Sequence, residues 1–593
     1  MVKNIVITGE GIVSAIGNDT AAVLQSLKTN KTGIGGMTYL HSTHHELPVG
    51  EVKCSNEEMK SILGIAADSL TSRTVLMGIW AVRQALADAN VQRAIANNPS
   101  LRVVLVSGTT VGGMDLTEQH YDELLTDHRY AECLRHHAPG DSTQAIAEYF
   151  SLFTDYTTIS TACSSAANAL ILGANLIQAG EADIVVAGGS EALSVFHLNG
   201  FHSLMITDTE PCRPFDANRA GLNLGEGAAY VVLESEELAK QTEAPVHAYL
   251  TGYGNACDAF HQTASSEQGD GAFLAMKEAL QMAHLQPADI QYINAHGTGT
   301  PNNDVSESHA IQRIFGNNVP LVSSTKSFTG HTTSASGAIE AVICLLALRE
   351  QFVPANLGFT TSIPDGIRPT LGVHHYPLRH VLCNSFGFGG NDSSLIFSLN
   401  RPEPADEVFF KHSDDEIQLL ARVELSSEEE LSDIRNYVKP LETRRMGKLM
   451  KGTLLSSLKA LEAAGIESPD AIITGTAWGC LENSEKLLEQ IKEEGEVMLK
   501  PTYFMQSTHN TLGSSIAIRT RCHGYNVTFS QGSKSLDWAL RDAKMLLKRG
   551  VCQTVLVGCH DESTPMFNRL MESLGMQHIP SIHAIAIVLS CGK

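Results

Sequence analysis

The sequence predicts an α/β protein in which strands alternate with helices and form largely parallel sheets covered on both faces. Short apolar runs rich in valine and isoleucine recur along the chain, and each is followed by a stretch with helical spacing. Glycine pairs such as Gly188-Gly189 and Gly389-Gly390 stand at the ends of such runs, where tight turns are expected. In chain order, the predicted strands are Ile5–Thr8, Val103–Ser107, Tyr156–Thr161, Ile184–Ala187, Ala229–Leu233 and Val381–Asn384.

Length and composition restrict the possible classes of function. A chain of 593 residues predicts more than one domain, and a content of 43% hydrophobic and 18% charged residues is typical of globular proteins. Acidic residues number 65 and basic residues 42, which gives a net charge of −23. This balance disfavours a nucleic-acid or anionic-membrane binder that relies on bulk charge, but it allows a local basic patch for an acidic protein partner.

The chain shows no signal for membrane insertion or secretion. The longest candidate for a membrane span, Ala338 to Leu348, is largely apolar but falls short of the ~20 residues that span a bilayer, and it predicts a buried helix. The N-terminal segment lacks the apolar core and cleavage site of a signal peptide. The twelve cysteines are scattered and form no CxxC pair. We therefore expect a cytoplasmic protein with free thiols.

The composition changes near residue 400. Prolines and acids follow a strand-like run there, and segment 401–409 is predicted to be a linker. The remainder, 410–593 and hereafter the tail, returns to α/β alternation after Ile472. We therefore predict a further α/β domain in the tail.

The tail partly repeats the first part of the chain. Four pairs of segments match in the same order: Ile473–Gly479 with Val106–Gly112, Gln506–Thr508 with Asp141–Thr143, Val555–Glu562 with Val185–Glu191, and Ala584–Leu589 with Ala229–Leu233. Each match is weak alone, but their shared order makes chance an improbable explanation. The matches predict that the tail repeats only about residues 60–235.

Cys163 is a candidate nucleophile. It directly follows the predicted strand Tyr156–Thr161, and the residues after it open a helix that Gly180 closes. The start of a helix presents unpaired N–H groups and the positive end of the helix dipole, which favour the thiolate form of a cysteine. The alternative is that Cys163 is one buried structural cysteine among twelve.

Two histidines lie in glycine-framed loops after strand-like runs. His296 stands before Gly297, and His331 follows Gly330. Functional groups are commonly held at such junctions, although a lone histidine is more often structural. As a pair, they suggest neutral imidazoles that donate hydrogen bonds to a developing enolate oxygen. Lys326 could tune the field of this pair; the alternative is a surface lysine.

Four motifs together resemble those of the β-ketoacyl-acyl carrier protein synthases. They are Thr161–Ser165, His296–Thr300, Lys326 to His331 and Asn384–Gly390, in the order and approximate spacing of that family. Ile5–Gly9, Arg213–Asp216 and Gly225–Gly227 match as well. The resemblance covers about residues 1–400. It implies the thiolase fold, a five-layered αβαβα arrangement of two related halves, here 1–250 and 251–400.

The resemblance implies an elongating, decarboxylative condensing enzyme. Cys163 would take an acyl chain from an acyl carrier protein, and His296 and His331 would stabilise the enolate formed when malonyl-carrier protein loses carbon dioxide. The carbanion would attack the acyl thioester and release a β-ketoacyl product longer by two carbons. No cofactor is implied beyond the phosphopantetheine of the carrier. His331 distinguishes this set from that of a degradative thiolase.

The resemblance also implies roles for residues around these three. They are Lys326 and Glu340 as supports of the histidine site, Thr298, Thr300, Phe388 and Val111 as substrate-binding residues, and Arg213 as the docking residue for the acidic carrier protein. Phe388 would gate the acyl pocket, and its backbone N–H would form the oxyanion hole with that of Cys163. For Arg213, the alternative is a buried structural arginine paired with Asp216. The expected assembly is a homodimer, or a heterodimer with another ketosynthase.

The tail resembles the N-terminal half of a β-ketoacyl synthase without its chemistry. Gly532 or Ser533 falls opposite Cys163, and the tail ends before any equivalent of the two histidine motifs. We therefore predict no condensing activity in the tail and close packing against a synthase domain. Its role is either that of a degenerate partner, similar to a chain-length factor, or that of a structural appendage that covers a sheet edge.

No metal site is predicted. His41, His44, His45 and Glu46 crowd together, but their spacing does not match that of a known ligand set. The main alternative for the whole protein is a non-catalytic, chain-length-factor-like partner of another ketosynthase. Chain length, unsaturation, and the choice between primary fatty acid synthesis and a polyene or pigment pathway stay open at this stage.

Overall fold

A computed structural model describes residues 2–401 and 409–591 of the chain. Most of the predicted linker, 402–408, lies outside the described residues. Within these ranges the strands are β1 Ile5–Ser14, β2 Val103–Gly108, β3 Asp155–Ile159, β4 Ile184–Glu191, β5 Gly227–Ser235, β6 Ala248–Cys257, β7 Tyr292–Asn294, β8 Leu321–Ser323, β9 Phe352–Val353, β10 His374–His375, β11 His380–Gly387, β12 Asn391–Ser398, β13 Ile417–Leu425, β14 Ala471–Gly475, β15 Asn526–Phe529, β16 Thr554–Glu562 and β17 Ile582–Cys591. All six predicted strands are therefore confirmed, with shifted ends.

The α-helices alternate with these strands. Within the same ranges they are α1 Thr20–Lys28, α2 Asn56–Leu63, α3 Arg73–Asp88, α4 Val91–Asn97, α5 Met114–Gln119, α6 His128–Ala131, α7 Pro139–Phe150, α8 Ser165–Gln178, α9 Val195–Ser203, α10 Glu236–Thr242, α11 Asp270–Met282, α12 Pro301–Phe315, α13 Lys326–Thr329, α14 Ser336–Glu350, α15 Pro440–Thr443, α16 Lys448–Ala464, α17 Leu481–Glu494, α18 Pro501–Met505, α19 Thr511–Thr520, α20 Ser535–Arg549 and α21 Pro565–Ser573. No helix of the described residues is long and apolar enough to cross a membrane.

The large sheet is mixed, so the prediction of largely parallel sheets is wrong. Its order is β13-β17-β16-β14-β15-β3-β2-β4-β5-β1-β6-β12-β11-β7-β8, and β9 pairs separately with β10. Strands β3, β2 and β4 run parallel, whereas β4, β5, β1, β6 and β12 are antiparallel neighbours. The physical reason is the route from β4 to β5. The connection stays at the end of the sheet where β4 stops, and Leu224 in this connection forms a bridge with His331. Strand β5 therefore starts at that end and runs back antiparallel to β4, whereas a parallel strand would need a crossover to the other end.

Two buried helices lie at the centre of the first part of the chain. Every residue of α8 is buried, and so is the whole of 336–348 in α14, which confirms the predicted buried helix. Helix α3 packs on the outer face of β1, β2, β4 and β5, and α11 and α12 cover β6, β7, β11 and β12 on the far side. Helices α8 and α14 pack between the two halves of the large sheet, so the layers are helix, half-sheet, helix, half-sheet and helix.

The tail repeats the first half of this unit from its first strand. Strand β13 pairs with β17 as β1 pairs with β5, so the prediction that the repeat begins near residue 60 is wrong. Most of β13 is exposed or half-buried, which explains why its apolar pattern is weak. The match of Gln506–Thr508 with Asp141–Thr143 is also wrong, because α19, which begins at Thr511, is the helix that leads into β15 as α7 leads into β3.

The tail is docked firmly against the first part of the chain, as predicted. Strand β15 pairs antiparallel with β3 at Phe529 and Ile159. The Ser160 N–H donates to the Thr528 carbonyl at 2.9 Å, and the Ser530 N–H donates to the Thr158 carbonyl at 3.0 Å. The β3 edge of the first part is therefore covered within the same chain.

Candidate active site

Cys163 lies in a tight turn between β3 and α8. The turn spans residues 162–164, and Ala162 has a left-handed φ of 52°. The Ser165 hydroxyl fixes the turn, because it accepts from the Thr161 N–H at 2.9 Å and donates to the Ala162 carbonyl at 2.6 Å. Cys163 is only 4% exposed. The sequence prediction of a cysteine at the entry to a helix is thus confirmed.

Burial decides the ionisation of Cys163. It raises the pKa of the thiol to about 12, although the Lys326 charge and the backbone N–H groups of Phe388 and Cys163 act in the opposite direction. The backbone N–H groups at the helix start favour the thiolate, as expected, but the loss of water on burial has the larger effect. Burial thus favours the thiol form of Cys163.

His331 directly contacts the cysteine sulfur. Its Nε2 lies 3.0 Å from Cys163 Sγ, and its Nδ1 lies 3.0 Å from the Ser336 hydroxyl. Burial, Lys326 and His197 lower the pKa of His331 well below its ordinary value. The ring is therefore neutral. Because Ser336 can donate or accept, His331 can use either tautomer.

His296 completes the group, and its tautomer is fixed. Its ring centroid lies 5.4 Å from that of His331, and Lys326 Nζ lies 3.2 Å from its Nδ1. An ammonium can only donate, so Nδ1 of His296 accepts and Nε2 carries the proton. Burial, Lys326 and His331 lower the pKa of His296 well below its ordinary value, which confirms the expected neutral pair.

Lys326 is buried, so its interpretation as a surface lysine is wrong. It is 1% exposed, and its Nζ donates to Glu340 Oε1 at 2.5 Å. Burial raises the pKa of Glu340 to about 7, against the effect of the Lys326 ammonium. The structure thus brings Cys163, His296, His331, Lys326 and Glu340 into one buried chain of contacts.

Sequence reasoning missed Glu307, which orients the His296 loop from α12. Its two carboxylate oxygens accept from the backbone N–H groups of His296 at 2.9 Å and Gly297 at 2.7 Å. Asn384 adds a third contact to Glu307 at 3.2 Å. The sequence did offer a signal for Glu307, because an acidic residue falls at a buried position of α12, the helix that follows the His296 loop.

The predicted substrate-binding residues form a threonine pair and an apolar group, and their role in binding stays a prediction. The hydroxyls of Thr298 and Thr300 lie 2.8 Å apart at the start of α12, and both residues are buried. The half-buried Phe388 ring stacks on Phe201 with centroids 5.5 Å apart. Val111 and Phe388 pack against the same apolar cluster as Phe201.

Arg213 is partly exposed and does not pair with Asp216. Its Nη2 lies 3.5 Å from Asp208, and 31% of its side chain is accessible. Asp216 instead accepts from the backbone N–H groups of Thr360 and Thr361 at 2.5 and 2.8 Å. The alternative of a buried Arg213–Asp216 pair is therefore wrong.

The turn of the tail that corresponds to the Cys163 turn carries Ser533. Residues 532–534 form the same short turn, with φ of 53° at Gly532, and the Gln531 N–H donates to the Ser535 hydroxyl at 2.8 Å. Gly532 therefore corresponds to Ala162 and Ser533 to Cys163. The Ser533 side chain is exposed.

The histidine-rich segment 41–46 meets the tail. His44 Nδ1 lies 2.9 Å from Glu46, and its Nε2 donates to the Glu496 carbonyl at 2.9 Å. His202 stands beside His44, with ring centroids 4.4 Å apart. His44 therefore links the first part of the chain to the tail, and Glu46 supports His44. That the segment binds no metal stays a prediction.

Three family models match the chain. Residues 2–239 match the β-ketoacyl synthase N-terminal domain, residues 247–360 match the C-terminal domain, and residues 421–593 match a second model of the N-terminal domain. The chain belongs to the β-ketoacyl synthase family. The prediction from the four motifs is confirmed, and so is the second N-terminal-like domain.

Named relatives and solved structures agree with this family. The chain is 32% identical over 416 residues to 3-oxoacyl-[acyl-carrier-protein] synthase 2 of Vibrio harveyi. The aligned region covers 67% of this chain and 98% of that relative. A similar solved structure is that of the ketosynthase ApeO of Xenorhabdus doucetiae in complex with its chain length factor ApeC. The match has 32% sequence identity and a TM-score of 0.58, and it covers 67% of this chain and 98% of that one.

One solved structure resembles both parts of this β-ketoacyl synthase together. The structure described as the PfaC keto synthase–chain length factor matches 99% of this chain and 78% of its own, with a TM-score of 0.80 and 17% identity. At that identity the match concerns the fold alone. It confirms the predicted thiolase fold followed by a further half unit.

Proposed function

We propose that this β-ketoacyl synthase joins an acyl chain held on Cys163 to a malonyl unit held on an acyl carrier protein, with loss of carbon dioxide. The observation that carries the proposal is the buried contact of Cys163 Sγ with His331 Nε2 at 3.0 Å, beside a second neutral histidine. The name of the Vibrio harveyi relative describes an enzyme of this kind, 3-oxoacyl-[acyl-carrier-protein] synthase 2. The reaction belongs to fatty acid or polyketide biosynthesis.

Acyl transfer to Cys163 comes first. The thiol gives its proton to His331 Nε2 as the sulfur attacks the thioester carbonyl, because burial disfavours a free thiolate. The backbone N–H groups of Phe388 and Cys163 lower the pKa of the thiol and, in this proposal, also donate to the carbonyl oxygen as it gains charge. The bond from the acyl carbon to the carrier sulfur then breaks, and the carrier thiolate takes the proton from His331.

Condensation follows at the same centre. Malonyl-carrier protein loses carbon dioxide, and the enolate oxygen accepts from the Nε2–H groups of His296 and His331. Lys326 holds His296 in the required tautomer, and Glu340 holds Lys326. The enolate carbon attacks the acyl carbonyl, the bond to Cys163 Sγ breaks, and the released thiolate takes up one proton from solvent, because decarboxylation of the malonyl carboxylate supplies none. The product is a β-ketoacyl chain on the carrier.

The remaining predicted residues take supporting roles in this proposal. Thr298 and Thr300 bind the pantetheine arm, and Val111 and Phe388 line the acyl pocket next to Phe201. The phosphopantetheine of the carrier is the only prosthetic group that the proposed reaction uses. The domain boundaries at 250 and 400 and a cytoplasmic location are kept as predictions.

Intact-mass analysis tests the proposed function directly. The protein is incubated with a series of acyl carrier proteins that differ in acyl chain length, and the mass of the protein is measured before and after malonyl-carrier protein is added. We expect an acyl adduct on Cys163 that disappears on addition of malonyl-carrier protein, together with a β-ketoacyl product. The chain length that accumulates also identifies the preferred substrate. If no adduct forms with any chain length, the proposal is wrong.

His296→Ala and His331→Ala are expected to separate the two half-reactions. Each change removes a donor to the enolate oxygen and should lower malonyl decarboxylation by the ~10²–10³ typical of a lost oxyanion donor. Cys163 acylation should stay close to wild type in His296→Ala. It should survive only in part in His331→Ala, because His331 also takes the thiol proton while the backbone donors near the sulfur remain. Carbon dioxide release and single-turnover acylation measure the two steps. Condensation at the wild-type rate in both variants would show that the histidines have no role at the enolate.

Arg213→Glu tests the proposed docking of the acidic carrier protein. On a chain of net charge −23, a partly exposed arginine is well placed to steer an acidic partner, and reversal of its charge should raise the KM for carrier-bound substrate roughly ten-fold at low salt. The difference from wild type should shrink as salt is added, because salt screens exposed charges.

Arg93→Glu is a matched control for this charge reversal. Arg93 lies on α4 and pairs with Glu243 at the surface. It should leave the KM unchanged. A loss of thermal stability in Arg213→Glu without a salt-dependent rise in KM would instead indicate a structural arginine.

For the tail, we propose a non-condensing partner role within the chain, in the manner of a chain-length factor. It offers an exposed serine where a thiol is needed, and it places Phe504 against Phe196 and Phe201 in the apolar cluster beside Phe388. Strand β15 also covers β3. A second synthase chain, if it forms the predicted dimer, must therefore use another surface.

A further inference from the structure

The loop that carries Phe388 has little internal restraint. It lies between β11 and β12, and Gly389 and Gly390 adopt left-handed φ values of 83° and 77°. Such glycines have wide conformational freedom. Yet the loop borders the nucleophile, since a Cβ atom on the adjoining Gly387 would lie 3.3 Å from the Cys163 backbone nitrogen, and in the proposed reaction the Phe388 N–H must stay in place as an oxyanion donor. Contacts from outside the loop must therefore hold it in place.

The tail supplies such a contact through Asn510, which precedes α19. Asn510 Nδ2 donates to the Phe388 carbonyl at 2.7 Å and to Asn391 Oδ1 at 2.8 Å. The Gly389 N–H donates to the Gln262 carbonyl at 2.7 Å. The peptide group between Phe388 and Gly389 is thus fixed at both ends, and one of these ends depends on the tail.

Two further tail residues enclose the same loop. A Cβ atom on Gly389 would lie 2.1 Å from Ser514 Oγ, so α19 packs directly on the loop backbone. On the other side, the Phe388 ring stacks on Phe201, and tail Phe504 packs on Phe201 with ring centroids 5.2 Å apart. Asn510 is 1% exposed and lies between these contacts.

We propose that Asn510 is a positioning residue that couples the tail to acyl transfer at Cys163, an inference that rests on the proposed function. Without its N–H donors, the Phe388 carbonyl and the Asn391 amide oxygen lose a buried partner, and the glycines let the loop shift. A displacement of the reacting groups by about 1 Å can cost ~10²-fold in rate. The tail would then influence acyl transfer by positioning the Phe388 loop, although Cys163, His296 and His331 all belong to the first part of the chain.

The test uses full-length protein with N510A and N510D. Single-turnover acylation of Cys163 by acyl-carrier protein is followed by intact mass, and decarboxylation of malonyl-carrier protein is followed separately. We expect N510A to slow acylation by about 10- to 100-fold while decarboxylation stays within about two-fold of wild type, because decarboxylation depends on the histidines.

N510D separates the lost donor from lost packing. Its side chain has the same shape, but an ionised carboxylate presents only acceptors to the Phe388 carbonyl and Asn391. Burial and the two facing oxygens favour the protonated acid, so we expect N510D to be as slow as N510A only at a pH high enough to ionise the carboxyl, and to recover as the pH is lowered and the protonated acid donates again. N510S keeps a hydroxyl donor and replaces N510A if that variant does not fold.

Arg541→Ala is the matched control at the same interface. Arg541 joins the tail to Asp155 and Glu181 without touching the Phe388 loop, so its loss should leave acylation at the wild-type rate. Wild-type acylation in N510A and N510D, or equal losses in both half-reactions with lower thermal stability, would overturn the proposal. If wild-type protein itself forms no acyl-Cys163, the proposed function fails instead.

Discussion

Cys163→Ala is expected to abolish acyl-enzyme formation and to lower condensation by at least about 10³-fold. The sulfur is the atom to which the acyl chain is joined, and no other thiol shares its contact with His331 or its backbone donors among the described residues. Cys163→Ser should be almost as inactive, because an alcohol is far harder to ionise than a thiol. Intact mass after exposure to acyl-carrier protein measures the adduct.

Malonyl decarboxylation is the internal control for the Cys163 variants. It depends on His296 and His331 in the proposed mechanism and should persist when the sulfur is absent. Cys133→Ala, another buried thiol, should keep wild-type condensation. An acyl adduct of normal yield on Cys163→Ala would place the nucleophile elsewhere and contradict the assignment.

The local pattern of apolar runs was enough to locate strands but not to pair them. Each predicted run, from Ile5–Thr8 to Val381–Asn384, lies in a strand, because a continuous valine- and isoleucine-rich run is buried on both faces of a sheet. Strand direction depends on where each connection lies, and the route from β4 to β5 carries no such pattern. Strand β13 escaped notice because it is largely exposed at the sheet edge.

The motifs identified which residues form the site, whereas burial in the folded protein determines the protonation of Cys163, His296 and His331. Glycine-framed loops pointed to His296 and His331, and the structure brings them within one cluster with Cys163. The helix start at Cys163 suggested a thiolate, but desolvation has the larger effect and is invisible in a local sequence. The burial of Lys326 follows from long-range packing in the same way.

Contacts between the tail and the first part lay beyond sequence reasoning. Asn510 and Phe388 are separated by 122 positions, and no periodic pattern links them. Resemblance to a family could suggest a partner role for the tail, but only the three-dimensional arrangement shows which side chains meet the Phe388 loop. Those contacts are the basis for proposing that the tail serves the active site rather than only covering a sheet edge.

Deletion of 409–593 is expected to destabilise the synthase part severely. The deletion strips tail Phe504 from Phe196 and Phe201, and it removes tail Phe529 and Trp538 from the central apolar cluster. Each fully buried aromatic or aliphatic side chain contributes about 1.5–3 kcal/mol, so a few such losses approach the 5–15 kcal/mol by which a whole domain is usually stable. The β3 edge would also lose its hydrogen bonds to Thr528 and Ser530.

An uncovered β3 edge is a template for pairing with another chain. We therefore expect residues 1–408 to aggregate or self-associate, and to lose the Asn510 contact with Phe388 that we propose to support acyl transfer. Light scattering after size exclusion, thermal unfolding and product chain length measure these effects against the full chain. Ser533→Ala in the full chain is the control and should behave as wild type, since the tail needs no nucleophile. A truncated protein that stays monomeric, unfolds at the wild-type temperature and makes the same products would show that the tail is an independent appendage.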